Sequence, residues 1–157
     1  MEIRRLRSDD AALAKQAIVT LKSDIDTRVA HRLAKIHLSN FLSRESNILL
    51  VALEQNKPIG FALAYRLERV DREQDMVLFY EIEVDTEHRS RGVGSALISA
   101  LKDICSEKPT MKMWVYTDAS NVAAMQLYRA TGGSMCERAH EIKFTYYCDR
   151  EQTQRES

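Results

Sequence analysis

Apolar positions along the chain alternate between two periods. Residues 2–7 read as a short first strand. Residues 10–22 follow as a helix, with Ser8 and Asp9 as candidate caps. A second helical pattern spans 27–44, where Val29, Leu33, Ile36 and Phe41 recur on one face. The apolar run 47–53, the turn residues Gln55, Asn56, Lys57 and Pro58, and the run 59–67 predict a hairpin. A charged loop over 70–75 leads into 76–84 (MVLFYEIEV), rich in β-branched and aromatic residues and predicted as a central strand. From about 94 to 106, Val93, Ala96, Leu97, Ala100, Leu101 and Ile104 trace one buried helical face. Residues 111–117 predict the next strand. A helix over 118–131 comes next, capped by Asp118 or Ser120 and stopped by Gly132-Gly133. Alternation within 134–147 suits a last strand or hairpin. The pattern is α/β: a mixed sheet, antiparallel in its first half, with a parallel step between 76–84 and 111–117.

The chain has 157 residues and 45% hydrophobic content, enough for one domain with one core. We assign residues 1–148 to that domain and 149–157 to a polar tail. The 23 basic and 23 acidic residues balance, which disfavours nucleic-acid binding through bulk charge. No apolar run approaches the length of a membrane span, and the N-terminus lacks a secretory core. Cys105, Cys136 and Cys148 form no CxxC pair, and an odd count closes no disulfide framework, so a cytoplasmic location is expected. Cys105 belongs to the buried helical face, and Trp114 to the core of its strand. His31, His37, His88 and His140 have no ligand spacing; no metal is expected, and His88 is placed at the surface.

The segment carrying chemistry runs from Val84 to Leu97. A strand ends, glycines permit a tight turn, and a helix begins whose first N–H groups have no intrahelical acceptor. Gly92 and Gly94 let an anion approach the backbone, and Arg89 and Arg91 add positive charge. A diphosphate is the natural guest. The Lys-Ser/Thr of a nucleotide-hydrolysing loop is missing, and Leu97 stands where a dinucleotide fingerprint needs its third glycine. By itself a GxG of this kind is more often a plain connecting turn.

Two motifs change that balance. Arg89-Ser90-Arg91-Gly92-Val93-Gly94 resembles the R/Q-x-x-G-x-G/A signature of the GCN5-related N-acetyltransferases (GNATs). Asn121 through Gly132 resembles that family's N-x-x-A-x-x-L-Y-x-x-x-G segment. The resemblance covers most of the chain and is most specific over 76–132. It implies a GNAT-like fold with a splayed parallel strand pair and acetyl-CoA as cosubstrate. The pyrophosphate would lie on the amides of Arg89, Ser90, Arg91, Gly92, Val93, Gly94 and Ser95. The pantetheine arm would lie along Ile82, Glu83 and Val84, with Asn121 and Tyr128 completing the CoA site. Ala124, Leu127 and Tyr128 share a helical face, so Tyr128 can reach the CoA sulfur; a phenol of reference pKa near ~10 stays protonated beside a thiol near ~8.5 and can protonate it. A half-buried tyrosine with a wet hydroxyl is the plain alternative.

An amine acceptor must lose a proton, and a strand-end carboxylate is a sensible base. Glu81 and Glu83 project to one face and would be costly on a buried strand unless they meet a cleft. Solvent-facing glutamates on a one-sided sheet are the alternative. The run Phe79–Val84 followed by Glu87-His88-Arg89, with Ala62-Leu63-Ala64-Tyr65 upstream, is similar to the aminoglycoside 3-N-acetyltransferases, although Glu81 replaces their Asp and the segment after Gly133 differs. That resemblance implies Glu81 as base, with Glu83 beside it, and a polycationic small-molecule amine as partner. The remaining options are polyamines, peptide or protein amines, a non-catalytic CoA-binding module, and a homodimer of the kind relatives form. An acidic acceptor cleft would draw on Asp71, Glu73, Asp75, Glu81, Glu83, Asp118, Glu137 and Glu141. Arg66, Arg69, Arg72 and Arg138 are interleaved with them, so plain ion pairing is the alternative for 66–75.

Overall fold

The computed structural model describes residues 1–22 and 32–135. Five strands form one sheet in chain order: β1 (Glu2–Arg5), β2 (Asn47–Glu54), β3 (Lys57–Leu67), β4 (Asp75–Val84) and β5 (Thr110–Trp114). Neighbours pair antiparallel except β4 and β5, which run parallel. The helices are α1 (Ala11–Leu21), α2 (Lys35–Leu42), α3 (Val93–Ser106) and α4 (Val122–Ala130). The sheet separates two cores. On one side α3 presses Val93, Leu97, Ile98, Leu101 and Ile104 against Ile48, Leu50, Ala62, Val77 and Phe79. On the other, Ala11, Ala14 and Ala17 of α1 and Leu38 and Leu42 of α2 cover Leu49, Val51 and Phe61. Fully burying each large aliphatic side chain stabilises by about 1.5–3 kcal/mol, so α3 is held by packing.

The α/β class, the mixed sheet and the parallel step agree with the sequence reading, and several details correct it. Asp10, not Ser8 or Asp9, makes the capping bond before α1, accepting from the Arg7 amide at 2.8 Å. α2 buries Leu38 and Leu42; of the predicted face, Leu33 and Phe41 pack partly buried against the same core, Ile36 is 67% exposed, and Val29 lies outside the described residues. The hairpin turns on Gln55 and Asn56, both at positive φ (50° and 64°). This is the paired left-handed geometry of a two-residue loop, and it leaves Pro58 inside β3, opposite Leu53 at a bulge. β5 stops at Trp114, short of the expected 117. Asn121 caps α4 by accepting from the Ala124 amide at 3.1 Å, while Asp118 instead closes a turn onto Ser120. The last predicted strand falls almost wholly outside the described residues, as do Cys136, Cys148 and the tail.

Candidate active site

A bulge in β4 positions the two strand carboxylates, Glu81 and Glu83. The β3–β4 ladder pairs Leu63 with Glu81 and Ala64 with Phe79, so Tyr80 is the extra residue. Before it, Val77 and Phe79 face the α3 core. Strict alternation would send Glu81 and Glu83 to the same face. The inserted residue reverses the parity: Ile82 and Val84 now pack on the α3 core. Glu81 and Glu83, opposite Leu63 and Phe61, turn toward the α1–α2 face. Tyr65 lies on that face, edge-on to Phe41 at 6.2 Å and to Tyr80 at 5.7 Å between ring centroids, and Tyr80 is 60% exposed. Burial raises the Tyr65 phenol, with Tyr80 and Glu81 nearby adding to the effect.

Glu81 is not bare. Lys22, just past α1, directs Nζ onto Glu81 Oε1, with the side chains 25% and 18% exposed. Three of the other acidic candidates are committed elsewhere. Asp71 is clamped by Arg69 (2.6 Å) and Arg72 (3.0 Å), and the Arg69 bond lowers its carboxyl to about 2. Asp75 meets the Arg66 guanidinium at 3.5 Å. Asp118 accepts from Ser120. Asp71 and Asp75 are therefore paired within the 66–75 run, as its interleaved arginines allowed. Glu137, Glu141 and Arg138 lie outside the described residues.

The second feature is where β4 and β5 part. Their pairing ends at Leu78 and Trp114, so β4 from Phe79 to Val84 has an edge without a ladder partner among the described residues. Such an edge offers main-chain N–H and C=O groups to an extended polar chain. Tyr128 of α4 stands at the start of the gap, its ring edge-on to Phe79 at 5.9 Å. Burial raises its phenol above the ordinary tyrosine value, so it keeps its proton at neutral pH. Tyr128 packs with the α3-side core and Glu81 faces the α1–α2 side, so the two groups stand on opposite faces of β4.

The glycine turn follows β4. Ser90 (φ 58°) and Gly92 (φ 83°) are left-handed, and Gly92 is the N-cap of α3. The first amide to reach a helical acceptor is that of Ala96, 3.0 Å from Gly92 O; the amides of Ser90 through Ser95 have no acceptor among the described residues. A Cβ on Gly92 would meet nothing within 4 Å, so the space above the turn is open. Gly94 has a different purpose from the one read in the sequence. A Cβ there would stand 3.0 Å from Leu127, so its bareness admits α4 rather than an anion. Gly60 likewise lets Glu83 O and Val93 approach β3, each 3.0 Å from where its Cβ would be.

The turn's side chains are held back from the amides. Arg89 donates from Nε to Val84 O at 3.2 Å, and Arg91 lies 3.9 Å from Glu54. His88 is wedged between Asp85 (2.7 Å) and Glu54 (3.3 Å) with its side chain 18% exposed, not surface-placed as expected. That contact holds the Asp85 carboxyl below its ordinary value. Trp114 is half-buried, with Lys112 Nζ 5.8 Å from its ring centre, and Cys105 is half-buried with its thiol raised by burial. Asn121's observed role is the α4 cap. A shallow hollow of about 280 Å³ lies between α3 and α4, lined by Ser95, Ser99, Lys102 and Thr131 among others. Among the described residues no His, Cys, Asp and Glu group is arranged to hold a metal, and no helix is long and apolar enough to cross a membrane.

A splayed parallel pair, an open amide turn at a helix start, and a tyrosine at the mouth of the gap define an acyl-CoA-dependent acyltransferase. The family model described as the acetyltransferase (GNAT) family matches residues 15–132, and the chain belongs to that family. It is an acetyl-CoA-dependent N-acetyltransferase. It is similar to YhfO, an uncharacterized N-acetyltransferase of Bacillus subtilis (strain 168), at 25% identity over 94% of this chain and 96% of that one. Among solved structures it resembles an aminoglycoside acetyltransferase from an uncultured soil metagenomic sample in complex with trehalose, at 25% identity and TM-score 0.75, over 93% of this chain and 96% of the other. Aminoglycoside N-acetyltransferase AAC(6')-Iy in complex with CoA shares the fold at 21% identity and TM-score 0.69, over 95% and 94% of the two chains.

Sequence reasoning missed Lys22, Tyr65 and Tyr80. A lysine at a helix C-terminus reads as a complement to the helix dipole. A bulge leaves no mark on alternation except the out-of-phase pairs Phe79/Glu81 and Tyr80/Ile82, visible only once the core faces are known.

Proposed function

We propose that this enzyme acetylates an amine of an aminoglycoside, with Glu81 as general base and Tyr128 as general acid. The observation carrying the proposal is the Tyr80 bulge. It sets a carboxylate pair and an aromatic wall on the face opposite Tyr128, across the edge of β4 that has no ladder partner among the described residues. Acetyl-CoA is a substrate whose fit rests on two features: the open Gly92 turn, whose amides from Ser90 to Ser95 have no acceptor among the described residues, and the strand edge from Phe79, which has no ladder partner among them. Glu83, beside Glu81, adds negative charge that favours a polycation.

In the proposed reaction the acceptor ammonium gives a proton to Glu81. The freed nitrogen attacks the thioester carbonyl, forming the C–N bond as the C–S bond breaks. The departing sulfur takes the Tyr128 phenolic proton, and the acylated nitrogen releases its second proton to solvent, from which Tyr128 is reprotonated. Tyr65 and Tyr80 offer ring faces to an amino sugar or its ammonium groups. The similarity to the 3-N-acetyltransferases favours the 3-amino group, and the AAC(6') fold relative makes the 6' amine the competing position. The test is thiol release from acetyl-CoA with gentamicin-type aminoglycosides, polyamines and peptides, followed by NMR of the product. Turnover on an aminoglycoside amine is expected. Turnover confined to polyamines or peptide amines would contradict the aminoglycoside assignment.

A further inference from the structure

Ser90 stands in the turn after β4 at φ 58°, a left-handed backbone that a residue with a Cβ seldom adopts. Nothing that Ser90 itself touches fixes it there. The residue is exposed, and neither its amide nor its hydroxyl has a hydrogen-bond partner among the described residues. Such a conformation persists when its surroundings over-determine it. The bracing comes from the β2–β3 hairpin. Glu54, the last residue of β2, is set by its ladder pairing with Lys57 across the two-residue loop. Its two carboxylate oxygens divide between the flanks of Ser90. Oε2 lies 3.3 Å from Nε2 of His88, and Oε1 lies 3.9 Å from Arg91. The other ring nitrogen of His88 lies 2.7 Å from Asp85, and the Asp85 amide donates to Ile59 O at 3.0 Å. Each ring nitrogen that carries its proton donates to the carboxylate it faces. The entry to the turn is thus tied to both strands of the hairpin.

We propose that Glu54 and His88 are positioning residues for acetyl-CoA, bracing Ser90 from both sides so that the turn amides stay aimed at the diphosphate. This inference rests on the reading of the turn as the diphosphate site, and adds what keeps that site formed before the ligand arrives. The φ of Ser90 sets the angle between the peptide plane before it and the one after it. Its relaxation would swing the Ser90 amide away from those that follow. Two observations separate a brace from an incidental surface contact. The His88 side chain is only 18% exposed although its chain neighbours Glu87 and Arg89 are exposed, so the bridge is sheltered from screening by solvent. Arg89, next to Ser90, is tied as well, donating from Nε to Val84 O at 3.2 Å, so the links converge on the one left-handed residue of this turn that has a Cβ.

The test is calorimetric titration of the whole protein with CoA, beside kinetics with the best amine of the panel. Glu54→Met and His88→Phe retain bulk and remove the polar atoms of the bridge. Each is expected to weaken CoA binding about fivefold, the scale set by a left-handed residue with a Cβ. The KM for acetyl-CoA should rise with it, while the acceptor KM stays the same. Ser90→Gly supplies a residue that adopts either handedness. Combined with Glu54→Met or His88→Phe, it should return CoA affinity to within about twofold of Ser90→Gly alone. A bridge that only stabilises the fold would lower the melting temperature and give the same loss of affinity in the Ser and Gly backgrounds. Glu54→Gln, a milder change at the hairpin, should act in the same direction as Glu54→Met, and melting temperatures show which variants fold. Unchanged CoA affinity in the folded variants, or equal losses in the two backgrounds, overturns the inference while leaving the diphosphate site standing. Absence of saturable CoA binding by the wild-type protein overturns the reading of the turn itself, so the two failures are separable.

Discussion

At the residue scale the proposed mechanism depends on two groups held apart by one strand. Glu81 faces the α1–α2 side because Tyr80 is inserted before it, and Tyr128 faces the gap because α4 sets its ring against Phe79. Replacing Glu81 by Gln keeps the shape and removes the base. We expect kcat to fall about 10²-fold or more with acetyl-CoA affinity unchanged, measured by thiol release and calorimetry. Tyr128→Phe keeps the ring contact and removes the acid. kcat should drop by about 10²-fold while the melting temperature stays near wild type. Both residues are proposed from their motif positions in the sequence. It could not supply the reason Glu81 and Glu83 escape burial, because the decisive Tyr80 looks like any other strand aromatic. Lys22 was hidden for a similar reason: its partner lies on a strand 59 positions later.

At the scale of elements, the strand–turn–helix unit was the most readable part of the chain, since the buried positions of α3 repeat at helical spacing and its start follows a glycine. The reading of the second glycine needed the structure. Gly94 serves helix packing against Leu127, whereas Gly92 serves a left-handed backbone at φ 83°. The two should fail differently. Gly92→Ala strains the turn by about 1–2 kcal/mol and should weaken acetyl-CoA binding directly. Gly94→Ala pushes on Leu127 and should shift α4, so Tyr128-dependent turnover suffers more than affinity; paired calorimetry and kinetics distinguish these outcomes. The turn is also tied down by Asp85 and His88. The bond to His88 depresses the Asp85 carboxyl, so its stabilisation is present above the unfolded carboxylate value of about 4 and is lost as pH falls through the lower folded value. The melting-temperature gap between wild type and Asp85→Asn should therefore narrow below pH ~4. A gap that stays constant into acid would contradict this anchor.

At the scale of the whole molecule, the sheet separates two packed layers and lets its parallel edge open between them. The fold class was legible because antiparallel runs, a strand–helix–strand unit and a closing amphipathic helix occur in that order. The extent of the opening was not, because residues 115–117 continue the aromatic and β-branched run of β5 although pairing with β4 stops at Trp114. The central claim is that a diphosphate rests on the unclaimed amides of the turn after β4. The most direct measurement is an amide NMR titration of the isotope-labelled protein with CoA. The account predicts large, saturable shifts for the N–H groups of Ser90 to Ser95, with smaller ones along Phe79 to Val84. Saturable CoA binding that leaves those turn amides unmoved, or no binding at millimolar CoA, would contradict it.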